Sequence, residues 1–194
     1  MGENSKWMRD AIGVSAATIG ALADSVDAIE AIGQAVVGVL KAGGKILTAG
    51  NGGSAAEALH MSEEFVGRFR HNRRSLPAIS LVADPTALTC IGNDFGFDYI
   101  FSRQIEGLGC EGDALVLFSS SGKAANLQQA VEVARGLGLI TIALLGRDGG
   151  PLAGRCDHEL IVVGAATERI QEAHQVILHL ILDMTERAFE VDDV

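Results

Sequence analysis

The stretch Lys45-Ile46-Leu47-Thr48-Ala49-Gly50-Asn51-Gly52-Gly53-Ser54 decides the fold. Its first half is a short apolar run that predicts a buried strand, and its glycines predict a tight turn. The residues from Ala55 to about Phe69 have the composition of a helix. A strand, a glycine turn and a helix in this order form the opening unit of an α/β fold.

Four further apolar runs repeat this pattern along the chain. We therefore expect five short strands that alternate with helices in an open, mostly parallel α/β sheet of the doubly wound kind. The other strands are predicted at Ala78–Val82, Ala114–Phe118, Ile140–Leu145 and Glu159–Val163. The helices are predicted at Pro85–Ile91, Tyr99–Leu108, Lys123–Leu137 and Thr167–Phe189.

The sequence before the first strand predicts a long amphipathic helix. Apolar residues from Ile12 to Leu40 recur at steps of three, four or seven, and Gly43-Gly44 end the segment. Such a surplus apolar face commonly contacts another subunit. We expect a single domain over 1–194, with a helical segment at about 7–42 and an α/β core at about 43–190.

The composition limits the classes of function. The 194 residues include 25 Asp+Glu and 15 Lys+Arg, a formal charge of −10, so we expect no nucleic-acid partner. Three cysteines without a C-x-x-C pair argue against disulfides and a thiolate zinc site. No run of about 18 uncharged apolar residues is present. We expect a cytoplasmic protein without a membrane partner.

Two loops rich in small residues follow predicted strands and precede predicted helices. They are Gly50–Ser54 and Ser119-Ser120-Ser121-Gly122. Backbone N–H groups and hydroxyls at such places can bind a phosphate, although each loop alone is equally consistent with an ordinary turn. Neither loop has the spacing of a dinucleotide motif or a P-loop, which favours a phosphorylated small molecule.

Two helices contain candidate catalytic groups. His60 and Glu64 are four residues apart on one helix face, where they can bind a divalent metal, supply a general base, or form a solvated ion pair. Glu63 lies off that face, and we expect it to be solvated. His179 interrupts an apolar run, so its imidazole needs a hydrogen-bond partner or a metal. Gln171 lies about 12 Å along the helix from His179 and about 80° around its axis. The two residues can bind one ligand only if both side chains lean inward, if the helix end is distorted, or if they come from different subunits.

The motifs together, in this order, resemble the sugar-isomerase (SIS) family, and within it the sedoheptulose 7-phosphate isomerases. The resemblance extends from about Ile12 to Phe189. It implies a flavodoxin-like sandwich with a five-stranded parallel sheet, long N-terminal and C-terminal helices, and a homotetramer with active sites at subunit boundaries. The motifs are Gly50-Asn51-Gly52-Gly53-Ser54, His60 with Glu64, Gly92-Asn93-Asp94-Phe95-Gly96, Ser119-Ser120-Ser121-Gly122, and Arg169-Ile170-Gln171-Glu172 with His179.

The resemblance also implies a reaction and its residues. The reaction is conversion of sedoheptulose 7-phosphate to D-glycero-D-manno-heptose 7-phosphate through an enediol, the first step towards ADP- or GDP-heptose for lipopolysaccharide or related glycans. Glu64 and His179 match the acid/base pair. One zinc ion per subunit would be held by His60, Glu64, Gln171 and His179. The substrate would be bound by Asn51, Gly52, Gly53, Glu64, Asn93, Asp94, Ser119, Ser120, Ser121 and Gln171.

A departure in the phosphate loop and two alternatives accompany the resemblance. Where the family often has Ser-Gly-Asn-Ser-Ala-Asn, this chain has Ser121-Gly122-Lys123-Ala124-Ala125-Asn126, so Ala124 supplies no hydroxyl to a phosphate. The family includes a non-catalytic adaptor, the DnaA initiator-associating protein, which lacks the metal and acid/base residues that this chain has. A sugar-phosphate-sensing regulatory domain is the third possibility, and it is normally fused to a partner domain.

Overall fold

The computed structural model describes residues 3–164 and 166–189. The predicted end of the core at 190 therefore lies outside the described residues. The strands are β1 Ile46–Gly50, β2 Ala78–Ser80, β3 Ala114–Ser119, β4 Ile140–Gly146 and β5 His158–Val162. The α-helices are α1 Glu3–Gly20, α2 Val26–Lys41, α3 Gly53–Val66, α4 Pro85–Asp94, α5 Ser102–Leu108, α6 Ala125–Gly136 and α7 Thr167–Phe189. Short 3-10 turns lie at Ala21–Ser25, Phe97–Tyr99 and Gly150–Leu152.

The five strands form one parallel sheet in the order β2-β1-β3-β4-β5, which confirms the predicted doubly wound α/β fold. The chain winds outward from β1 in one direction and from β3 in the other. At such a switch point the two neighbouring loops diverge and leave a crevice at the carboxyl ends of the strands. The two small-residue loops follow β1 and β3, so the topology brings them together.

The core has one apolar layer on each face of the sheet. Alternate residues of a strand point to opposite faces. Accordingly, Val116 and Phe118 of β3 pack in the layer that α2, α3 and α7 cover. Leu115 and Leu117 pack in the other layer, beneath α5 and α6. Both faces of the central strands are buried, which explains their continuous apolar sequence.

The N-terminal segment differs from the predicted single helix. It forms α1 and α2, joined by a 3-10 turn, and the predicted apolar face divides into buried and exposed parts. Leu22 and Val36 are buried, whereas Ile12 is 68% exposed and Val26 is 54% exposed. Helix α2 packs against α7 and the sheet, whereas α1 makes its main contacts with α7 and the 3-10 turn, and Val26 is the first residue of α2.

One segment, Ser5–Lys41, is long and apolar enough to cross a membrane by length and composition alone. Its most apolar window has a mean hydropathy of 1.4. Core helices of proteins without a membrane and signal sequences meet the same criterion, so a single segment of this kind is weak evidence. The absence of a membrane partner therefore stays a prediction.

Candidate active site

The loop after β3 is organised by its own serines. The hydroxyl of Ser119 accepts a hydrogen bond of 3.0 Å from the N–H of Gly122, and that of Ser121 accepts one of 3.4 Å from Lys123. Helix α6 follows with Ala124 before its first residue and has no side-chain cap. The N–H groups of its first turn are therefore available to an anion, in the direction that the helix dipole favours.

This serine loop packs tightly against the loop after β4. Gly122 has φ +61°, and a Cβ atom built there would lie only 1.8 Å from the carbonyl oxygen of Gly149. Gly150 has φ +53°, and its Cβ would lie 2.4 Å from the carbonyl oxygen of Ser121. Only glycine fits at either position, because both the conformation and the backbone approach exclude a side chain.

Gly122→Ala is expected to displace the serine loop and to raise KM for a sugar phosphate by at least about tenfold, with a loss of stability of about 1–3 kcal/mol from the clash and the strained φ. Steady-state kinetics and urea unfolding measure the two effects. Gly136→Ala is the matched control, because a Cβ there meets nothing within 4 Å. Wild-type KM and stability in Gly122→Ala would contradict the prediction.

The loops after β1 and β3 are joined by a pair of amide hydrogen bonds. Asn51 donates to Asn126 at 2.9 Å, and Asn126 donates back to Asn51 at 3.0 Å. Asn126 is buried in the first turn of α6, so these bonds fix the glycine loop relative to the serine loop. Asn126 matches the last residue of the family pattern after the serine loop, but only the fold assigns it a partner.

Helix α7 contacts the beginning of α3 at the other side of the glycine loop. A Cβ atom built on Gly53 would lie 2.3 Å from the amide nitrogen of Gln171, so glycine is required for this approach. Gly53, His60 and Gln171 line one cavity of about 520 Å³. The structure thus brings together three residues that the sequence predicted for substrate or metal binding. The whole lining is Gly53, Ala56, Glu57, His60, Glu168, Gln171, Glu172 and Gln175.

His60 lies at the centre of a second group of contacts further along α3. Its Nε2 is 3.3 Å from Oε1 of Glu64, and its ring meets that of His179 edge-on with 5.3 Å between centroids. The ring of Phe69 stacks on the other histidine, His179, at 5.4 Å. The predicted acid/base residues Glu64 and His179 therefore both contact His60.

The imidazole of His179 has a lowered pKa. Burial is the largest cause, the neighbouring His60 lowers the pKa further, Glu64 raises it, and Arg70 lowers it. The ordinary pKa of a histidine side chain is 6.5. The ring is therefore neutral at neutral pH, with one nitrogen as a donor and the other as an acceptor.

The structure also assembles a group of possible metal ligands around His60. Among the described residues, ligand atoms of His60, Glu63 and Glu64 lie within 4.8 Å of one another, an arrangement compatible with a divalent cation. Glu63 is exposed, as the sequence predicts, but its carboxylate belongs to this group. The amide of Gln171 lies against Gly53. Gly53 is about three helical turns before Glu64 on α3, so the sequence-derived set of four ligands stays a prediction.

A family model described as the SIS domain matches residues 13–146. The chain belongs to the SIS domain family. It is 49% identical over 81% of its length to the phosphoheptose isomerase of Fusobacterium nucleatum, covering 81% of that protein. It is 52% identical to the phosphoheptose isomerase of Citrifermentans bemidjiense, over 82% of this chain and 83% of that protein.

The fold of this SIS chain also matches a solved structure of a phosphoheptose isomerase, from Francisella tularensis. The TM-score is 0.87 with 35% identity, over 96% of this chain and 100% of that one. The family, the α/β architecture and the class of enzyme predicted from the sequence are therefore confirmed: the SIS chain is a sugar-phosphate isomerase. The relatives do not favour the adaptor alternative.

Asn93 and Asp94 form the last turn of α4, which extends three residues beyond its predicted end. Asn93 donates to Asp94 at 2.7 Å, and the thiol of Cys90 lies 3.7 Å from the same carboxylate. Both side chains are exposed. Their predicted contact with substrate remains a proposal.

The end of α3, which presents Glu64, is held by a buried arginine, Arg73, that none of the sequence motifs includes. Arg73 donates to the carbonyl oxygens of Glu64 at 2.6 Å and Phe65 at 2.9 Å. Its guanidinium lies 3.7 Å from the buried carboxylate of Glu186 on α7. Burial lowers the pKa of Arg73, while Glu186 opposes that shift. In this SIS chain, Arg73 lies in the segment after α3 and joins the end of that helix, through these hydrogen bonds, to Glu186 of α7.

Proposed function

We propose that this chain converts sedoheptulose 7-phosphate to D-glycero-D-manno-heptose 7-phosphate. The observation that carries the proposal is the contact of His60 with both a carboxylate, Glu64, and a neutral imidazole, His179. An aldose–ketose isomerase needs these two kinds of group. The phosphoheptose isomerase relatives support the seven-carbon substrate.

The reaction moves one proton between carbons and one between oxygens. Glu64, as a carboxylate, removes a proton from C1 of the ketose to give the enediol and returns it to C2. His179 donates its N–H proton to the carbonyl oxygen at C2 and accepts the proton of the C1 hydroxyl. Both groups end the cycle as they began, and the lowered pKa of His179 supports its neutral starting form.

We propose that the two loops at the switch point bind the substrate. The hydroxyls of Ser119, Ser120 and Ser121 and the first N–H groups of α6 would hold the phosphate, which offsets the absence of a hydroxyl at Ala124. The sugar would contact Asn51, Gly52, Gly53, Asn93, Asp94 and Gln171.

The donor set around His60 fits a divalent cation, since imidazole nitrogen and carboxylate oxygen are ligands that zinc accepts. We propose one zinc ion per subunit, held by His60, Glu64, Gln171 and His179, with Glu63 as a further candidate. A bound cation would polarise the carbonyl and stabilise the developing enediolate. Glu64 has two oxygens and His179 two ring nitrogens, so each has one atom for the cation and one for proton transfer.

The exposed apolar residues of the N-terminal helices support self-association. Trp7, Met8, Ile12 and Val14 are all at least half exposed on α1. We propose a homotetramer of single-domain SIS subunits that works in the cytoplasm, with the product entering lipopolysaccharide or a related glycan. We propose no membrane or nucleic-acid partner, because the net charge of −10 repels phosphate backbones.

An assay of purified protein with sedoheptulose 7-phosphate, alongside five- and six-carbon ketose phosphates, tests the substrate. We expect turnover of the seven-carbon compound at the highest kcat/KM, loss of activity after a chelator, and recovery with zinc. No turnover by folded protein would support the adaptor alternative. Turnover that resists complete metal removal would contradict the zinc proposal while leaving the isomerase proposal intact.

A further inference from the structure

Each of the two ring nitrogens of His60 has its own polar neighbour, one on α3 and one on α7. Nε2 faces the carboxylate of Glu64 at 3.3 Å, and Nδ1 lies 3.0 Å from the amide nitrogen of Gln175 on α7. The amide oxygen of Gln175 is buried and has no hydrogen-bond partner among the described residues. A buried oxygen without a hydrogen-bond partner is unfavourable, so this amide has a reason to adopt another orientation.

The hydrogen bonds determine which nitrogen of His60 carries the proton. When Gln175 donates to Nδ1, the proton of a neutral ring is on Nε2, where it points to Glu64. In that form Nε2 has no lone pair for a cation. When the amide is rotated by 180°, its oxygen faces Nδ1, accepts the Nδ1–H bond and leaves a lone pair on Nε2 opposite the carboxylate of Glu64. The lone pair of His60 Nε2 and the carboxylate oxygen of Glu64 then face each other, and a cation bound between them would interact favourably with both.

We propose that Gln175 is a positioning residue that sets the tautomer and ring orientation of His60. Its amide oxygen accepts the Nδ1–H bond when a divalent cation is bound at Nε2, and its amide nitrogen donates to Nδ1 when the site is free. The inference rests on the metal site of the proposed function. It adds a residue that none of the sequence motifs includes.

The position of Gln175 on α7 supports this role. Gln175 is four residues from Gln171 and four from His179, so it lies between them on the helix surface, about 40° around the axis from each. Gln175 lines the cavity of about 520 Å³ together with His60. A partner that holds the second nitrogen of a metal-binding histidine typically changes metal affinity by about 10- to 100-fold when removed.

Zinc titration of the full chain against a chromogenic competitor tests the inference. Gln175→Leu keeps the volume but removes the acceptor, and we expect its zinc affinity to fall by about 10- to 100-fold. Gln175→Glu keeps an acceptor for Nδ1–H, and we expect affinity within about threefold of wild type by the same reasoning. Gln129→Leu, at an exposed site on α6, is the matched control and should bind zinc normally.

Nitrogen-15 NMR of the histidine rings supplies a readout that does not depend on activity. In zinc-loaded wild type we expect His60 with its proton on Nδ1. Equal zinc affinity in wild type and Gln175→Leu, or a proton on Nε2 in the loaded protein, would overturn the inference alone. Failure of wild type to bind zinc would overturn both the proposed metal site and this inference, so the two failures are distinguishable. Urea unfolding of Gln175→Leu separates a weakened site from a damaged fold.

Discussion

Glu64→Gln is expected to lower kcat for sedoheptulose 7-phosphate by about 10³-fold, within the range that general acid–base catalysis contributes. The amide has nearly the same shape as the carboxylate but cannot accept the C1 proton. The contacts of the helix backbone are unaffected, because Arg73 binds the carbonyl oxygen of Glu64 and not its side chain. The loss should therefore appear in turnover with the fold intact.

Steady-state kinetics, together with circular dichroism and substrate binding, measure the effect. The matched control is Glu106→Gln. Its carboxylate is exposed and forms an ion pair with Arg103, three residues earlier on the same helix. We expect this variant to turn over substrate at the wild-type rate. If Glu64→Gln bound substrate and kept near wild-type kcat, the assignment of the carbon-bound proton to Glu64 would be wrong.

Glu186→Ala is expected to lower the free energy of unfolding by about 3–5 kcal/mol, because removing one partner of a buried charged pair leaves the other uncompensated. The Glu186 side chain is 1% exposed and that of Arg73 is 2% exposed. The same carboxylate accepts hydrogen bonds from the backbone N–H groups of Phe69, Arg70 and His71 at 2.9–3.2 Å. The substitution therefore also removes the acceptor for three donors.

Urea unfolding followed by circular dichroism gives the stability change. Glu186→Gln keeps one acceptor oxygen without the charge, so we expect its loss to lie between wild type and Glu186→Ala. The surface control is Glu132→Ala, whose carboxylate pairs with Arg155 and is about half exposed. That change should cost less than about 1 kcal/mol. A loss in Glu186→Ala no larger than in this control would show that the buried pair contributes little.

The sequence predicted the fold because the signals are local. A short apolar run followed by small residues and a helix needs no distant partner to be recognised, and parallel strands buried on both faces are apolar throughout. All five strands were located within about two residues. The errors are a missed break, which divides the N-terminal segment into α1 and α2, and several helix boundaries. Helix α4 continues to Asp94, whereas α3 already ends at Val66 and α5 begins only at Ser102, because tertiary packing overrides local propensity at helix ends.

The candidate site was predicted where a motif is continuous and missed where it depends on contacts between elements. His60 and Glu64 are neighbours on one helix turn, so their spacing alone places them together. Asn126, Gln175 and Glu186 were not predicted. Their partners lie 75, 115 and over 110 positions away along the chain. Periodicity carries no information on such pairs.

The sequence by itself determined the α/β class, the two small-residue loops and the side chains available for proton transfer, because these depend on residue type and local spacing. The tertiary structure decided which of these groups meet. The reversal of winding between β1 and β3 places the two loops side by side, and the packing of α7 along α3 sets His179 and Gln175 against His60. Such contacts arise when the whole sheet and its helices pack together. They depend on the area buried and the backbone geometry of elements far apart in the chain, so no short stretch of sequence predicts them.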